Sequence, residues 1–135
     1  MERVYDFLKQ CGTYYLATSE NGQPHVRPFG TADIFEGKLY FQTGLIKKVA
    51  KQLEENPNFE ICAMKGGEWI RVTGEAVLDE RIEAQQHMLD ETPGLQRMYK
   101  AGDGNTAVYW IKNGVAVISS YTADPVTIEF GKKHR

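Results

Sequence analysis

Residues 41–57 read FQTGLIKKVAKQLEENP and join a predicted strand to a predicted helix through a tight turn. The strand covers residues 38–42, where aromatic residues follow a Glu-Gly turn signal. Beyond Gly44, apolar residues recur three and four positions apart, the spacing of one helix face, at Ile46, Val49 and Leu53. Pro57 ends the helix, because the residue before a proline is disfavoured in the α region.

The charges at the two ends of this helix are reversed from the usual preference. Helix N-termini favour acidic residues and C-termini favour basic ones. Here the first turn carries Lys47 and Lys48, and the last turn carries Glu54 and Glu55. An anion bound at the N-terminus would make the lysines favourable, with the Thr43 hydroxyl and free backbone amides beside it. The alternative is ordinary surface lysines, since a misplaced exposed charge costs only about 0.3–1 kcal/mol.

Composition indicates one globular domain over residues 1–135, with 41% hydrophobic and 25% charged residues. A net charge of −2 gives no electrostatic case for binding nucleic acid or a membrane surface. No apolar run reaches the ~20 residues that span a bilayer, and the N-terminus lacks the apolar core of a signal peptide. Cys11 and Cys62 are isolated, which is typical of reduced thiols. Together these features predict a cytoplasmic protein.

The remaining sequence predicts an α+β fold with a six-stranded antiparallel β-barrel core and flanking helices. Two further helices are predicted at residues 2–11 and 80–91. Predicted strands cover residues 13–18, 24–35, 38–42, 59–64 and 68–78, followed by a hairpin of 106–112 and 115–121. The hairpin turns are predicted at Asn-Gly dipeptides, whose residues tolerate positive φ. Strands joined by hairpins close readily into a small barrel, which removes exposed edges.

Three residues should interrupt regular strand pairing. Pro28 lacks a ladder donor and Gly30 lacks a side chain, so this strand must be bulged or lie at an edge there. Such positions allow a ligand to approach the backbone closely. Gly74 predicts a bulge or bend in a later strand.

Several of these features occur in the order and spacing of a known family. Residues 27–30 read RPFG, residues 40–43 read YFQT, and Thr43 follows Arg27 by 16 positions. With residues 69–74, WIRVTG, this order resembles the pyridoxamine 5′-phosphate oxidase-like family of FMN-binding split-barrel proteins. The Lys47-Lys48 pair stands in place of the family's Arg-Lys phosphate clamp, one residue closer to the threonine than in the oxidases proper.

The resemblance implies FMN as the cofactor and a homodimer with flavin sites at its interface. It implies that Thr43, Lys47 and Lys48 hold the FMN phosphate and that Gln42 lies near the flavin. The backbone along the isoalloxazine edge would be that of Arg27, Pro28, Phe29 and Gly30. Arg27 would place its charge either at the pyrimidine side of the ring or at the phosphate. Trp69, and with it Arg71, would come from the second subunit.

The same resemblance implies an FMN-dependent oxidoreductase acting on an unknown small molecule or electron donor. The alternative is a module that binds flavin, deazaflavin or haem without turnover. True pyridoxamine phosphate oxidases continue with a C-terminal segment that binds substrate. This sequence has no counterpart to it, so a different substrate is expected. No catalytic side chain is predicted.

Other candidate residues have weaker patterns. Glu83 and His87 lie one helical turn apart and could seat a metal, but without two further ligands an exposed i,i+4 pair is favoured and no metal site is predicted. His25 could donate a proton to a substrate, although a surface histidine beside a turn explains it as well. Cys62 falls in the middle of a strand and is predicted to be core.

Overall fold

The structure, a computed structural model, describes residues 1–132. Within them the chain forms three α-helices, one 3-10 helix and eight β-strands. In chain order these are α1 (Glu2–Cys11), β1 (Tyr14–Glu20), β2 (Gln23–Phe29), β3 (Asp33–Phe35), β4 (Lys38–Gly44), α2 (Lys48–Glu55), β5 (Asn58–Lys65), β6 (Glu68–Asp79), α3 (Ile82–Glu91), the 3-10 helix (Pro93–Arg97), β7 (Thr106–Ser120) and β8 (Val126–Phe130). The end of the predicted domain, residues 133–135, lies outside the described part.

The strands form one antiparallel sheet in the order β2-β1-β5-β6-β7-β4-β3, with β8 paired to β7. The sheet does not close, because β2 and β3 end the order without pairing to each other. Its interior is rich in aromatic residues. Phe41 packs against Phe59 and against Tyr109, and the two ring centroids are 5.4 Å apart in each pair. The predicted class, an α+β antiparallel split barrel with flanking helices, is confirmed.

The described residues form eight strands where a six-stranded barrel is predicted, and the strand boundaries differ from the prediction at three places. The predicted strand 24–35 divides into β2 and β3, since residues 30–32 leave the ladder. The added strand β8 pairs with the second half of β7.

The predicted hairpin at Asn113 is wrong, because β7 runs through this position without turning back. Asn113 has the positive φ of 52° that the dipeptide suggests, but it produces a bend instead of a reversal. Opposite it, the register of β6 shifts between Thr73 and Glu75. This shift confirms the irregularity predicted at Gly74, where a Cβ would lie 2.7 Å from the Ile111 side chain. The bend lets one long strand pair with β6 along most of its length.

Helix α2 begins later than its apolar spacing suggests. Lys47 is the N-cap, and Ile46 lies before the helix with 78% of its surface exposed, so its predicted place on the helix face is wrong. Val49 and Leu53 are buried as predicted. None of the helices in residues 1–132 is long and apolar enough to cross a membrane.

Strand β5 points Phe59, Ile61 and Ala63 into the core. Successive side chains of a strand face opposite sides, so Cys62 lies on the outer face and is exposed. The prediction that Cys62 is a core residue is therefore wrong. Both cysteines are free thiols.

Candidate functional site

A cleft of ≈ 370 Å³ opens beside the N-terminus of α2. It is lined by Glu20, His25, Val26, Arg27, Lys47, Lys48, Val49 and Gln52. Lys48 is the first residue of the helix, and no side chain among residues 1–132 caps the helix N-terminus. An uncapped N-terminus presents free N–H groups and partial positive charge. The cleft therefore combines a helix N-terminus with three cationic side chains.

Arg27 is held against α2 by a network of hydrogen bonds. Its guanidinium donates to Thr18 Oγ1 and to Gln52 Oε1, each at 2.8 Å. The Thr18 hydroxyl donates to the same glutamine oxygen at 2.5 Å, and Arg27 also donates to the Leu16 carbonyl at 3.2 Å. Partial burial lowers the pKa of Arg27 from its ordinary value, yet arginine remains charged at neutral pH. The network places a fixed cation at one side of the cleft.

A smaller cleft of ≈ 160 Å³ adjoins the first, and Lys47 lines both. Its other lining residues are Pro28, Phe29, Gly30, Thr31, Gln42, Thr43, Leu95, Met98 and Tyr99. Strand β2 ends at Phe29, so the backbone of residues 30–32 has no strand partner here. A ligand that extends from the first cleft into the second would run along this backbone.

Gln42 lines the smaller cleft and has a buried side-chain amide without a partner among the described residues. It is 5% exposed, and neither its Nε2 nor its Oε1 has a hydrogen-bond partner within residues 1–132. Its backbone N–H donates to Thr31 Oγ1 at 2.9 Å, so the strand is held while the side-chain amide is not. Leaving such a group buried and unpaired costs about 1–3 kcal/mol. The amide therefore leaves a donor and an acceptor in this cleft that a polar ligand group or an ordered water molecule could satisfy.

The structure brings eight of the nine predicted site residues to these two clefts: Arg27, Pro28, Phe29, Gly30, Gln42, Thr43, Lys47 and Lys48. Trp69 does not line either cleft. It lies on β6 and packs against Tyr121, with ring centroids 5.1 Å apart.

Sequence reasoning missed two groups of residues that line or support the clefts. Gln52 is a buried polar residue beside the apolar Val49 and Leu53 of α2. A polar residue next to the apolar face of a predicted helix could have identified it from the sequence. Leu95, Met98 and Tyr99 come from the connection between α3 and β7. No local pattern could have placed this segment beside Gln42, because the two are far apart in the chain.

His87 has a different partner from the one predicted. Its Nδ1 lies 2.7 Å from Asp33 Oδ2, so the favoured pair with Glu83 is replaced by a contact between α3 and β3. Burial raises the pKa of Asp33 above its ordinary value, and the hydrogen bond with His87 opposes this rise. His25 lines the larger cleft and is half-buried.

The comparisons with known proteins agree with an open antiparallel split barrel. The family model described as pyridoxamine 5′-phosphate oxidase matches residues 1–115. The chain therefore belongs to the pyridoxamine 5′-phosphate oxidase family, as the resemblance in its sequence predicts. No curated protein matches the chain.

Solved structures are also similar to this chain. A NimC/NimA family protein from Clostridium acetobutylicum is 42% identical with a TM-score of 0.94, over 96% of this chain and 92% of that one. An FMN-binding, pyridoxamine 5′-phosphate oxidase-related protein from Nostoc punctiforme is 17% identical with a TM-score of 0.63, over 95% and 92% of the two chains. A haem-binding protein from Mycobacterium smegmatis is 14% identical with a TM-score of 0.64, over 87% and 52%. The two more distant similarities concern the fold alone.

Proposed function

We propose that the protein binds FMN and acts as an FMN-dependent oxidoreductase on a small molecule. The observation that carries this proposal is the pair of clefts that share Lys47 as a lining residue, one lined by three cationic side chains and the other by the unpaired Gln42 amide. FMN has the matching arrangement, with a phosphate dianion at one end and a polar ring system at the other. Bound FMN would supply the redox chemistry, and the protein would supply position and electrostatics.

At the phosphate end, the uncapped N-terminus of α2 would donate backbone hydrogen bonds to the phosphate oxygens. Lys47 and Lys48 would add charge-assisted bonds, and Thr43, which lines the smaller cleft, would add its hydroxyl. Of the two positions that the resemblance left open for Arg27, the phosphate end is favoured, because Arg27 lines the larger cleft with both lysines. The reversed charge of α2 is then favourable in the loaded protein.

At the ring end, Gln42 would hydrogen-bond the polar edge of the flavin. The amide has both a donor and an acceptor, which suits a ring edge that alternates carbonyl and N–H groups. The backbone of residues 28–31 lines the same cleft and would orient the ring.

We further propose that the protein is a homodimer whose second copy completes each flavin site. Register places Pro28 of the smaller cleft in line with Tyr15, Cys62 and Arg71 across four neighbouring strands. Several large apolar side chains on or beside this line are exposed, including Val26 at 68%, Tyr15 at 52% and Met64 at 57%. The smaller cleft, at ≈ 160 Å³, is below the roughly 300 Å³ of ordinary ligand pockets. A second copy on this outer face would cover the apolar surface and deepen the cleft.

Trp69 lies on the same outer face, opposite Met64 in the register. Its predicted role in the neighbouring subunit's flavin site belongs to this dimer proposal. The Arg71 guanidinium on this face is paired with Glu60, so it would meet the second copy as part of an ion pair.

A binding module without turnover is the alternative function, and the ligand would then be a flavin, a deazaflavin or haem. The fold is shared with the haem-binding protein from Mycobacterium smegmatis, and His25 in the larger cleft offers an imidazole for an iron.

The absorbance spectrum and the mass of the molecule that co-purifies with the protein test the ligand. We expect an oxidised flavin spectrum and the mass of FMN; a Soret band or a deazaflavin mass would support the alternative. For the loaded protein, anaerobic mixing with reduced nicotinamides or other small donors, followed by air, tests turnover. Bleaching and recovery would support an oxidoreductase, and no bleaching by any donor would support the binding module.

A further inference from the structure

The loop between the 3-10 helix and β7 has an ordered backbone of its own. The Asp103 carboxylate accepts hydrogen bonds from the backbone N–H groups of Thr106, Asn105 and Lys100, at 2.7, 2.8 and 3.0 Å. These donors hold the pKa of Asp103 well below its usual range. Gln85 of α3 accepts a further hydrogen bond from the Gly102 N–H at 2.8 Å. The loop is therefore fixed to itself and to α3.

This loop contacts the turn that leads into α2. The Asn105 backbone carbonyl accepts from the Leu45 N–H at 2.7 Å, and its side-chain Oδ1 accepts from the Ile46 N–H at 3.1 Å. The turn closes with a hydrogen bond from the Lys47 N–H to the Gly44 carbonyl at 3.0 Å. The N–H groups of two consecutive residues in this four-residue turn are thus both bound by Asn105, which lies 59 positions beyond Ile46 in the chain.

The approach of Asn105 depends on the glycine at the start of the turn. A Cβ on Gly44 would lie 3.2 Å from the Asn105 amide atoms and 3.0 Å from the Tyr99 hydroxyl. Such distances are shorter than ordinary packing contacts, so a larger residue would push Asn105 away from the turn. The glycine and the asparagine together set where the chain enters α2.

We propose that Asn105 is a positioning residue for Lys47, Lys48 and the N-terminus of α2 in the larger cleft, and that it sets the preference for a phosphorylated cofactor over its unphosphorylated form. The turn that Asn105 holds ends at Lys47, the N-cap of α2, and continues directly into Lys48. A looser turn would let the lysines and the first amides of the helix separate. This inference rests on the proposed binding of FMN through its phosphate.

The test compares the affinities of FMN and riboflavin, which differ only in the phosphate, by flavin fluorescence titration. Asn105→Ala removes the Oδ1 acceptor. Asn58→Ala is the matched control, since Asn58 is an exposed asparagine whose side chain makes one hydrogen bond, at the opposite end of α2. We expect the ratio of FMN affinity to riboflavin affinity to fall about two- to tenfold in Asn105→Ala, as the loss of one hydrogen bond predicts. The control should keep the wild-type ratio.

The outcomes separate positioning from general stability. Equal losses of FMN and riboflavin affinity, or an unchanged ratio, would overturn the inference. If Asn105→Ala does not fold, Asp103→Asn takes its place, because it weakens the hydrogen bonds that fix the loop while keeping Asn105. The ratio of FMN affinity to riboflavin affinity should then fall by less than in Asn105→Ala. An unchanged ratio in Asp103→Asn would overturn the inference. If the wild-type protein bound FMN and riboflavin with nearly equal affinity, the larger cleft would not be a phosphate site, and the proposed function would be wrong.

Discussion

Lys48 lies at the first position of α2, where its charge opposes the helix dipole unless an anion is bound. We predict that Lys48→Ala weakens FMN binding at least tenfold, because charge-assisted bonds contribute about 1.5–3 kcal/mol. Riboflavin binding should change little. Isothermal titration with both ligands measures the difference.

Lys51→Ala is the matched control for this prediction. Lys51 lies one turn along the same helix, is exposed and does not line the larger cleft. An equal loss of FMN affinity in both variants would mean that long-range charge, instead of a phosphate contact, controls binding.

Gln42 provides a second test, in which stability and binding move in opposite directions. Gln42→Leu replaces the unpaired buried amide by an apolar group of similar size. We predict that the ligand-free variant is more stable by about 1–3 kcal/mol, while FMN binds more weakly. Urea denaturation of the ligand-free protein and flavin titration measure the two effects.

Gln85→Leu is the control for the stability arm. Gln85 is also buried, but its Oε1 accepts a hydrogen bond from the Gly102 N–H. Its replacement should destabilise the protein, because the backbone donor is left without its partner. If both substitutions destabilised the protein equally, the Gln42 amide would have a partner in solution.

At the scale of secondary-structure elements, the contact of α3 with β3 includes the buried carboxyl group of Asp33. Asp33 is 2% exposed and His87 is its hydrogen-bond partner. Burial raises the pKa of Asp33 in the folded protein. A raised folded pKa means that the contribution of Asp33 to stability is fully present below its unfolded pKa of about 4 and is lost as pH rises through the folded pKa.

We predict that His87→Ala steepens this dependence. Removing the imidazole removes the hydrogen bond and the charge that lower the Asp33 pKa, while Glu91 continues to raise it. The variant should lose about 1.5–3 kcal/mol at neutral pH and much less below the unfolded pKa of about 4, where Asp33 is protonated in both the folded and the unfolded state. Denaturation curves across this range measure it. Gln86→Ala, which loses only an exposed bond to Asp90, should show no such trend, and a loss independent of pH in His87→Ala would contradict the assignment.

For the whole molecule, the exposed outer face predicts self-association. A charge in the centre of an apolar interface is costly when it has no partner. If the protein forms the proposed dimer, we predict that Met64→Glu shifts it from dimer to monomer in sedimentation velocity and weakens FMN binding, since the second copy would complete the site.

Ile82→Glu is the control for this experiment. Ile82 and Met64 are both 57% exposed, but Ile82 lies on α3, away from the outer face. It should remain a dimer. A wild-type protein that sediments as a monomer with flavin bound would end the dimer proposal.

Much of the cleft could be predicted from local patterns together with the family resemblance. Eight of the residues that line the two clefts lie in two short segments, 27–30 and 42–48, whose order and spacing are visible in the chain. The reversed charge of α2 was visible for the same reason, because a helix terminus and its charges are neighbours in sequence. The alternation along β5 shows the limit of such patterns: Phe59 and Ile61 mark the inner face, yet Cys62 was assigned to the core although the period of two excludes it.

The sequence alone determined the helices, most of the strands, the α+β class of fold and the cationic helix start, since periodicity, turn dipeptides and charge order act over a few residues. Only the tertiary structure decided that Asn113 does not reverse the chain, since β6 pairs with β7 both before and after it. It also decided that Asn105 holds the turn before α2 and that Asp33 pairs with His87, 54 positions away. Hydrogen bonds between such distant residues depend on how the sheet brings elements together, and no local pattern records that.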